Sequence, residues 1–122
     1  AVELGVKKIC VNHPHFLVNA TYEQMREWAD MGAYIELNAA VFSTIAKSGT
    51  CPDEMAGKIL ETIPTEKIVL DSDLGQKVNV DPITGMREMY EKGLISPEYD
   101  ILTEEQINLM GKETPSYLLG LK

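Results

Sequence analysis

The fold is decided by residues 6–37, whose sequence is VKKICVNHPHFLVNATYEQMREWADMGAYIEL. Residues 6–12 form a short, mostly β-branched and apolar run without a helical period, which predicts a buried strand. A capping box at residues 21–24 and apolar residues at helical spacing predict a helix over residues 22–31. Residues 33–37 predict a second strand after a connection so short that the helix must pack beside the sheet. Together these segments are one βαβ unit.

The remaining chain continues to alternate helices and strands. The predicted elements are a helix over residues 52–63, a strand over 67–70, a helix over 81–92, a helix over 103–112 and a last apolar turn over 116–121. No two strands flank an Asn-Gly or Asp-Gly turn, so we expect parallel strands with right-handed crossovers. The fold class is therefore α/β with parallel βα repeats, and residues 1–122 form a single α/β segment.

The composition excludes several classes of protein. The chain has 122 residues, of which 44% are hydrophobic and 25% charged, as in ordinary globular domains. The net charge of −8 disfavours nucleic acid and anionic membrane surfaces as partners. The two cysteines, Cys10 and Cys51, form no C-x-x-C pair and fit a reducing compartment. Without a signal peptide or an apolar run of about 20 residues, we expect a cytoplasmic protein.

Polar side chains follow each predicted strand. His13 and His15 follow the first strand, Glu36 lies near the end of the second, and Asp71 and Asp73 follow the third. Because ligands of parallel α/β folds bind beyond the carboxyl ends of the strands, we expect these side chains to converge. Imidazole and carboxylate groups bind divalent cations such as zinc or manganese, and a bound cation activates water. The sequence therefore predicts a metal site at this edge of the sheet.

Purely structural interpretations of the same residues remain open. His13 could end the strand through backbone hydrogen bonds, and His15 could be a solvated or substrate-facing loop residue. A Lys or Arg side chain could pair with Glu36, because a buried carboxylate needs either a cation or hydrogen-bond donors. Asp71 and Asp73 could be loop acceptors for nearby backbone N–H groups.

Four segments, in this order, resemble a known superfamily. They are Val11-Asn-His-Pro14, Gly32-Ala-Tyr-Ile-Glu36, Ile68-Val-Leu-Asp-Ser-Asp-Leu-Gly-Gln76 and Thr114-Pro-Ser-Tyr-Leu-Leu-Gly120. This order is similar to the C-terminal part of the metal-dependent hydrolases of the amidohydrolase superfamily. The resemblance implies a partial (βα)8 TIM barrel, made of its last three βα units, because a closed barrel typically needs about 250 residues.

The resemblance also implies roles for single residues. His13 matches a late-strand histidine that binds metal or polarises the substrate, and Asp73 matches the final-strand aspartate that serves as a metal ligand or general base. The predicted metal ligands are His13, Asp73 and Glu36, and Asp73 is also the predicted catalytic residue. The predicted substrate contacts are His15, Asp71 and Gln76.

The predicted function is a metal-dependent hydrolase that acts on a small amide, ester, lactone or carboxylated substrate through metal-activated water. The predicted cofactor is a divalent metal ion, zinc or manganese. Unprotected strand edges predict a homo-oligomer or association with the missing N-terminal part of the barrel. The alternative is a non-catalytic α/β binding or regulatory module that associates with a partner chain. A Rossmann-like nucleotide binder is disfavoured, since no Gly-x-Gly-x-x-Gly follows any strand.

Overall fold

The computed structural model describes residues 1–49, 51–95 and 102–121. The strands are β1 (Cys10–Val11), β2 (Tyr34–Asn38) and β3 (Ile68–Asp71). The α-helices are α1 (Tyr22–Asp30), α2 (Ala39–Phe42), α3 (Asp53–Thr62), α4 (Pro82–Ile95), α5 (Glu104–Asn108) and α6 (Thr114–Leu119). Short 3-10 helices span Val2–Leu4 and Thr65–Lys67, and a π-helical turn, Leu109–Glu113, joins α5 to α6.

The three strands form an open parallel sheet in the order β1-β2-β3. Val11 lies opposite Ile35 in β2, and Asn38 lies opposite Asp71 in β3. The prediction of an α/β fold with parallel strands is confirmed, but the prediction of a partial TIM barrel is wrong. Alternating strands and helices specify parallel crossovers in open sheets and in barrels alike, whereas closure depends on strand number, tilt and stagger. Three strands in an open sheet do not supply that closure.

One face of the sheet carries the apolar core. Ile35 lies opposite Ile68 and Leu37 opposite Leu70, and all four side chains are buried. Helices α1 and α3 supply the apolar side chains Met25, Ala29, Ala56, Ile59 and Leu60 to the same core. Because side chains alternate along a strand, the opposite face carries Glu36, Asn38 and Asp71. The fold therefore separates an apolar face from a polar one.

Capping boxes at Thr21 and at Thr103-Glu-Glu-Gln106 mark the starts of α1 and α5, but α5 ends at Asn108 and not near residue 112 as expected. The strand bounds also differ. Thr21 and Gln24 form the predicted capping box reciprocally, with N–H to oxygen distances of 3.2 and 2.9 Å. The first strand was expected over residues 6–12, but β1 covers only Cys10–Val11. Its cross-strand bonding begins with the Tyr34 N–H, which donates to the Ile9 carbonyl at 2.8 Å.

Helix α2 lies between β2 and α3, where the sequence analysis predicts no element. The side-chain oxygen of Asn38 accepts a hydrogen bond from the Val41 N–H at 3.2 Å and so caps the first turn of α2. Helix α4 continues past Gly93, the expected end, to Ile95. With 14 residues it is the longest described helix, and none of the helices in the described residues could cross a membrane.

Candidate functional site

The candidate site lies at the carboxyl end of the sheet, where the chain leaves the strands. β1 ends at Val11, whose partner Ile35 lies on the apolar face, so alternation alone would direct His13 away from Glu36. The chain turns instead, because His13 has a left-handed backbone with φ of 49°. The backbone N–H of His13 consequently donates to Glu36 Oε2 at 2.6 Å. A backbone turn, and not strand alternation, brings the first strand's histidine to the polar face.

The imidazole of His13 lies between two carboxylates. Its Nδ1 is 3.1 Å from Glu36 Oε2, and its Nε2 is 3.6 Å from Asp73 Oδ2. Glu36 is 2% exposed, whereas the Asp73 side chain is 45% exposed. The buried carboxylate thus holds the inner nitrogen, and the outer nitrogen faces a carboxylate that is open to solvent.

Asn38, which was not among the predicted site residues, determines how the buried side of this cluster is bonded. The Asn38 side chain is fully buried, and its oxygen is occupied by the Val41 N–H. Its Nδ2 group must therefore face the cluster, where it lies 3.2 Å from Glu36 Oε2 and 3.2 Å from His13 Nδ1. The sequence did carry a signal for this role. Asn38 lies at the end of a predicted strand, two residues after Glu36 on the same face, and three residues before Val41, whose N–H it caps.

Glu36 is satisfied by nitrogen donors. The partners that the structure gives its Oε2 are the His13 backbone, the His13 ring and the Asn38 amide. Within the described residues these take the place of the Lys or Arg partner that the sequence left open. His13 Nδ1 can donate to this oxygen when it carries the proton of the neutral ring, and in that tautomer the lone pair of Nε2 points away from Glu36.

Asp71 lies beside Glu36 on the same face. Burial, the negative charge and hydrogen bond of Glu36, and the charge of Asp73 raise the pKa of Asp71 to about 7. Its Oδ1 is buried and has no hydrogen-bond partner among the described residues. Burial and the same carboxylates, Glu36 and Asp71, raise the pKa of the Cys10 thiol to about 11. The polar face therefore favours positive charge or a bound proton.

Asp73 is held by its own loop. It has a left-handed backbone with φ of 45°, and the side chain of Gln76 donates to its carbonyl oxygen at 3.0 Å. Gln76 also accepts from Asn79 Nδ2 at 3.4 Å. Gln76 therefore contacts the backbone of Asp73, and the prediction that it contacts substrate stays a prediction.

His15 is buried and not solvated. Its ring packs on Phe42 of α2 with 4.9 Å between the ring centroids, and the residue is 7% exposed. Burial and the neighbouring charge of His13 lower the pKa of His15 to about 4, so the ring is neutral near pH 7. Neither ring nitrogen has a hydrogen-bond partner in the part of the chain that the structure describes. A buried polar atom without a partner is costly, so a ligand or water molecule that bonds to it would be stabilised.

The structure thus brings together His13, Glu36, Asp71 and Asp73, with His15 close enough to His13 for their charges to interact. Among the described residues, no group of three or more His, Cys, Asp or Glu side chains is arranged to hold a metal ion. The pair formed by His13 Nε2 and Asp73 Oδ2 nevertheless has suitable spacing. Two ligand atoms about 2.1 Å from one zinc ion, at the tetrahedral angle, lie roughly 3.4 Å apart.

A protein-family model matches the first part of the chain. Residues 1–36 match the model of DUF6282, a family of unknown function. The matched segment contains β1, α1 and the candidate residues His13, His15 and Glu36. No curated protein matches, and no solved structure matches. The match ends within β2 and covers less than a third of the chain, so it assigns no activity.

Proposed function

We propose that the chain contributes to the divalent-metal site of a hydrolase, with His13 Nε2 and Asp73 Oδ2 as the ligand pair. The observation that carries this proposal is the position of the His13 ring, 3.1 Å from the buried carboxylate of Glu36 and 3.6 Å from the partly exposed carboxylate of Asp73. Histidine ligands in metal sites typically give their other N–H to a carboxylate, which fixes the ring and its tautomer. The order of motifs, which resembles the amidohydrolase superfamily, supports the same chemistry.

Glu36 and Asn38 are positioning residues in this proposal. Glu36 Oε2, the oxygen that faces His13, accepts hydrogen bonds from the His13 backbone N–H and from the Asn38 side-chain amide. These bonds fix the position of the carboxylate beside the ring. The earlier prediction that Glu36 itself binds metal stays a prediction. As a buried acceptor, Glu36 keeps the proton on Nδ1, so that Nε2 can bind a cation.

The remaining groups at the site can bind substrate and move a proton. A zinc or manganese ion, when bound, would lower the pKa of a bound water toward neutrality. Asp73 is partly exposed and can accept a proton from that water and return it to a leaving group. His15, which is neutral and has no hydrogen-bond partner among the described residues, can hydrogen-bond a carbonyl or carboxyl group. These properties fit hydrolysis of a small amide, ester, lactone or carboxylated substrate.

Further ligands must complete the proposed site. Catalytic zinc sites usually have three protein ligands and one water molecule. The pair described here supplies two, so we propose that a second polypeptide, most simply another copy of this chain, supplies a third. Zinc binding and self-association would then be coupled.

The test is calorimetric titration of zinc and of manganese into four proteins. These are the wild type, His13→Gln, Asp73→Asn and the control Glu61→Gln, whose carboxylate is exposed in a surface pair with Lys58. We expect His13→Gln and Asp73→Asn to weaken binding by at least about tenfold, which corresponds to about 1.4 kcal/mol. The control should bind as the wild type does.

Activity is measured on the metal-loaded protein with a panel of small esters, amides and lactones. Equal metal binding by all four proteins would overturn the site. Metal binding that depends on His13 and Asp73, without hydrolysis of any substrate in the panel, would favour the alternative of a non-catalytic binding module.

A further inference from the structure

We propose that the turn after β1, residues 13–19, binds an apolar acyl group, so that the preferred substrates are amides or esters of apolar carboxylic acids. Hydrolysis of these substrates rests on the proposed function. Binding of the apolar group by the turn does not require the metal and is measured separately.

The turn displays three successive apolar side chains to solvent. Phe16, Leu17 and Val18 are 42%, 66% and 53% exposed. Their backbone N–H groups all donate to the carbonyl oxygen of His13, at 3.3, 3.1 and 3.2 Å. Left-handed residues, His13 and Asn19, stand at the two ends of the turn. A defined backbone therefore holds this apolar surface outward, and contiguous exposed apolar surface marks an interaction site.

The apolar surface adjoins the proposed ligand pair. The ring of Phe16 lies edge-on to the ring of His13, with centroids 6.4 Å apart and planes at 81°. His15, in the same turn, packs on the buried side chain of Phe42 and so anchors the turn to α2. Because Phe16 contacts the His13 ring, an apolar chain that extends from a carbonyl group near His13 would lie close to Phe16.

The size of the surface favours a small ligand over a protein. Three partly exposed side chains offer much less than the roughly 800 Å² that each partner contributes to a standard protein interface. They can cover a short alkyl or aryl group, and each methylene that becomes buried strengthens binding. Because this surface lies beside the His13 imidazole, a bound apolar group would lie next to the reacting carbonyl, and we assign it to the acyl part of the substrate.

The metal-independent arm uses NMR on the metal-free chain, titrated with sodium acetate or sodium hexanoate. We expect hexanoate to shift the methyl signals of Leu17 and Val18 and acetate to leave them unchanged. Phe16→Ala should abolish most of the hexanoate shifts. The control is Leu119→Ala, which removes an exposed apolar side chain from α6 and should leave them intact.

The second arm compares hexanohydroxamate with acetohydroxamate on the zinc-loaded chain. We expect the longer ligand to bind about tenfold more tightly to the wild type and to Leu119→Ala, and less than about threefold more tightly to Phe16→Ala. If hexanoate causes the shifts but zinc does not bind, the proposal that the turn binds an apolar group is supported and the proposed metal site is overturned. If zinc binds but hexanoate causes no shifts and chain length has no effect on affinity, the proposal that the turn binds an apolar group is overturned. The proposed metal site would be unaffected by that result. If the wild type forms a dimer that Phe16→Ala abolishes, the proposal for the turn is also overturned, because the apolar surface would then bind another copy of the chain.

Discussion

Asp71 and Glu36 are two carboxyl groups on one buried face, and the fold disfavours the ionisation of both. Burial and the neighbouring Glu36 raise the pKa of Asp71 from 3.8 to about 7. The folded state thus binds the proton of Asp71 more tightly than the unfolded state does. The stability that comes from this proton is complete below about pH 3.8 and is lost as the pH rises through about 7.

Asp71→Asn should therefore stabilise the metal-free protein in alkaline solution. The amide keeps the shape, can donate to Glu36 and cannot ionise. We expect its free energy of unfolding to exceed that of the wild type by about 1–3 kcal/mol near pH 8, with a much smaller difference near pH 4. Urea unfolding in the presence of a chelator measures both values. Glu61→Gln, which changes an exposed carboxyl group paired with Lys58, is the control. A gain of equal size at both pH values would contradict the assignment.

Elements with local signals could be predicted, and elements that depend on distant partners could not. The capping boxes at Thr21 and Thr103 involve residues three positions apart, and the structure forms both. The length of β1 depends on how far Tyr34 and Ile35 run beside it, which residues 6–12 do not reveal. Barrel closure depends on the number, tilt and stagger of all the strands, which no local signal reveals. The βα alternation therefore led to the wrong prediction of a partial barrel.

The candidate site shows the same division. That polar residues gather at the carboxyl ends of parallel strands follows from the topology, and the proximity of His13, Glu36 and Asp73 was expected on that basis. The left-handed turn at His13 and the orientation of Asn38 were not expected. The turn at His13 depends on a hydrogen bond to Glu36, 23 residues away in the sequence. The orientation of Asn38 depends on α2, which is too short to show a helical period of apolar residues.

The loop after α2 makes a prediction at the scale of one element. Ser43 accepts hydrogen bonds from the N–H groups of Ile45 and Ala46, and the loop then returns to bring Gly49 close to Ser43. A Cβ atom at Gly49 would lie 1.9 Å from the Ser43 carbonyl oxygen. Since that atom belongs to the backbone, the loop itself must move.

Gly49→Ala should therefore destabilise the protein by about 2 kcal/mol or more. The matched control is Gly111→Ala in the π-helical turn, where the nearest atom to a new Cβ, Tyr90 Oη, is 3.7 Å away. That distance is ordinary van der Waals contact, so the control should stay within about 0.5 kcal/mol of the wild type. Thermal unfolding of the two variants decides the point. Equal stability of both variants would show that the loop has another accessible conformation.

At the scale of the whole molecule, our prediction of self-association points to the side of the sheet that bears β1. The exposed side chains of Val2 and Met31 line a cavity of about 330 Å³ there, together with Val11 and Trp28. Leu4 and Val6, in the same N-terminal segment, are also exposed. Two copies would each carry a net charge of −8 and repel one another. Salt screens that repulsion, so apolar association should strengthen as ionic strength rises.

Sedimentation velocity should accordingly show a 13.6 kDa monomer in dilute, low-salt solution and a growing dimer fraction at higher protein and salt concentrations. Met31→Glu adds a charge to the apolar surface beside β1 and should hold the chain monomeric under the same conditions. Leu119→Glu adds the same charge on α6, where the side chain is 73% exposed, and should leave the dimer fraction unchanged. If both variants dissociate equally, net charge and not this surface controls association. A wild type that stays monomeric throughout would leave the third ligand of the proposed metal site without the source that we assign to it.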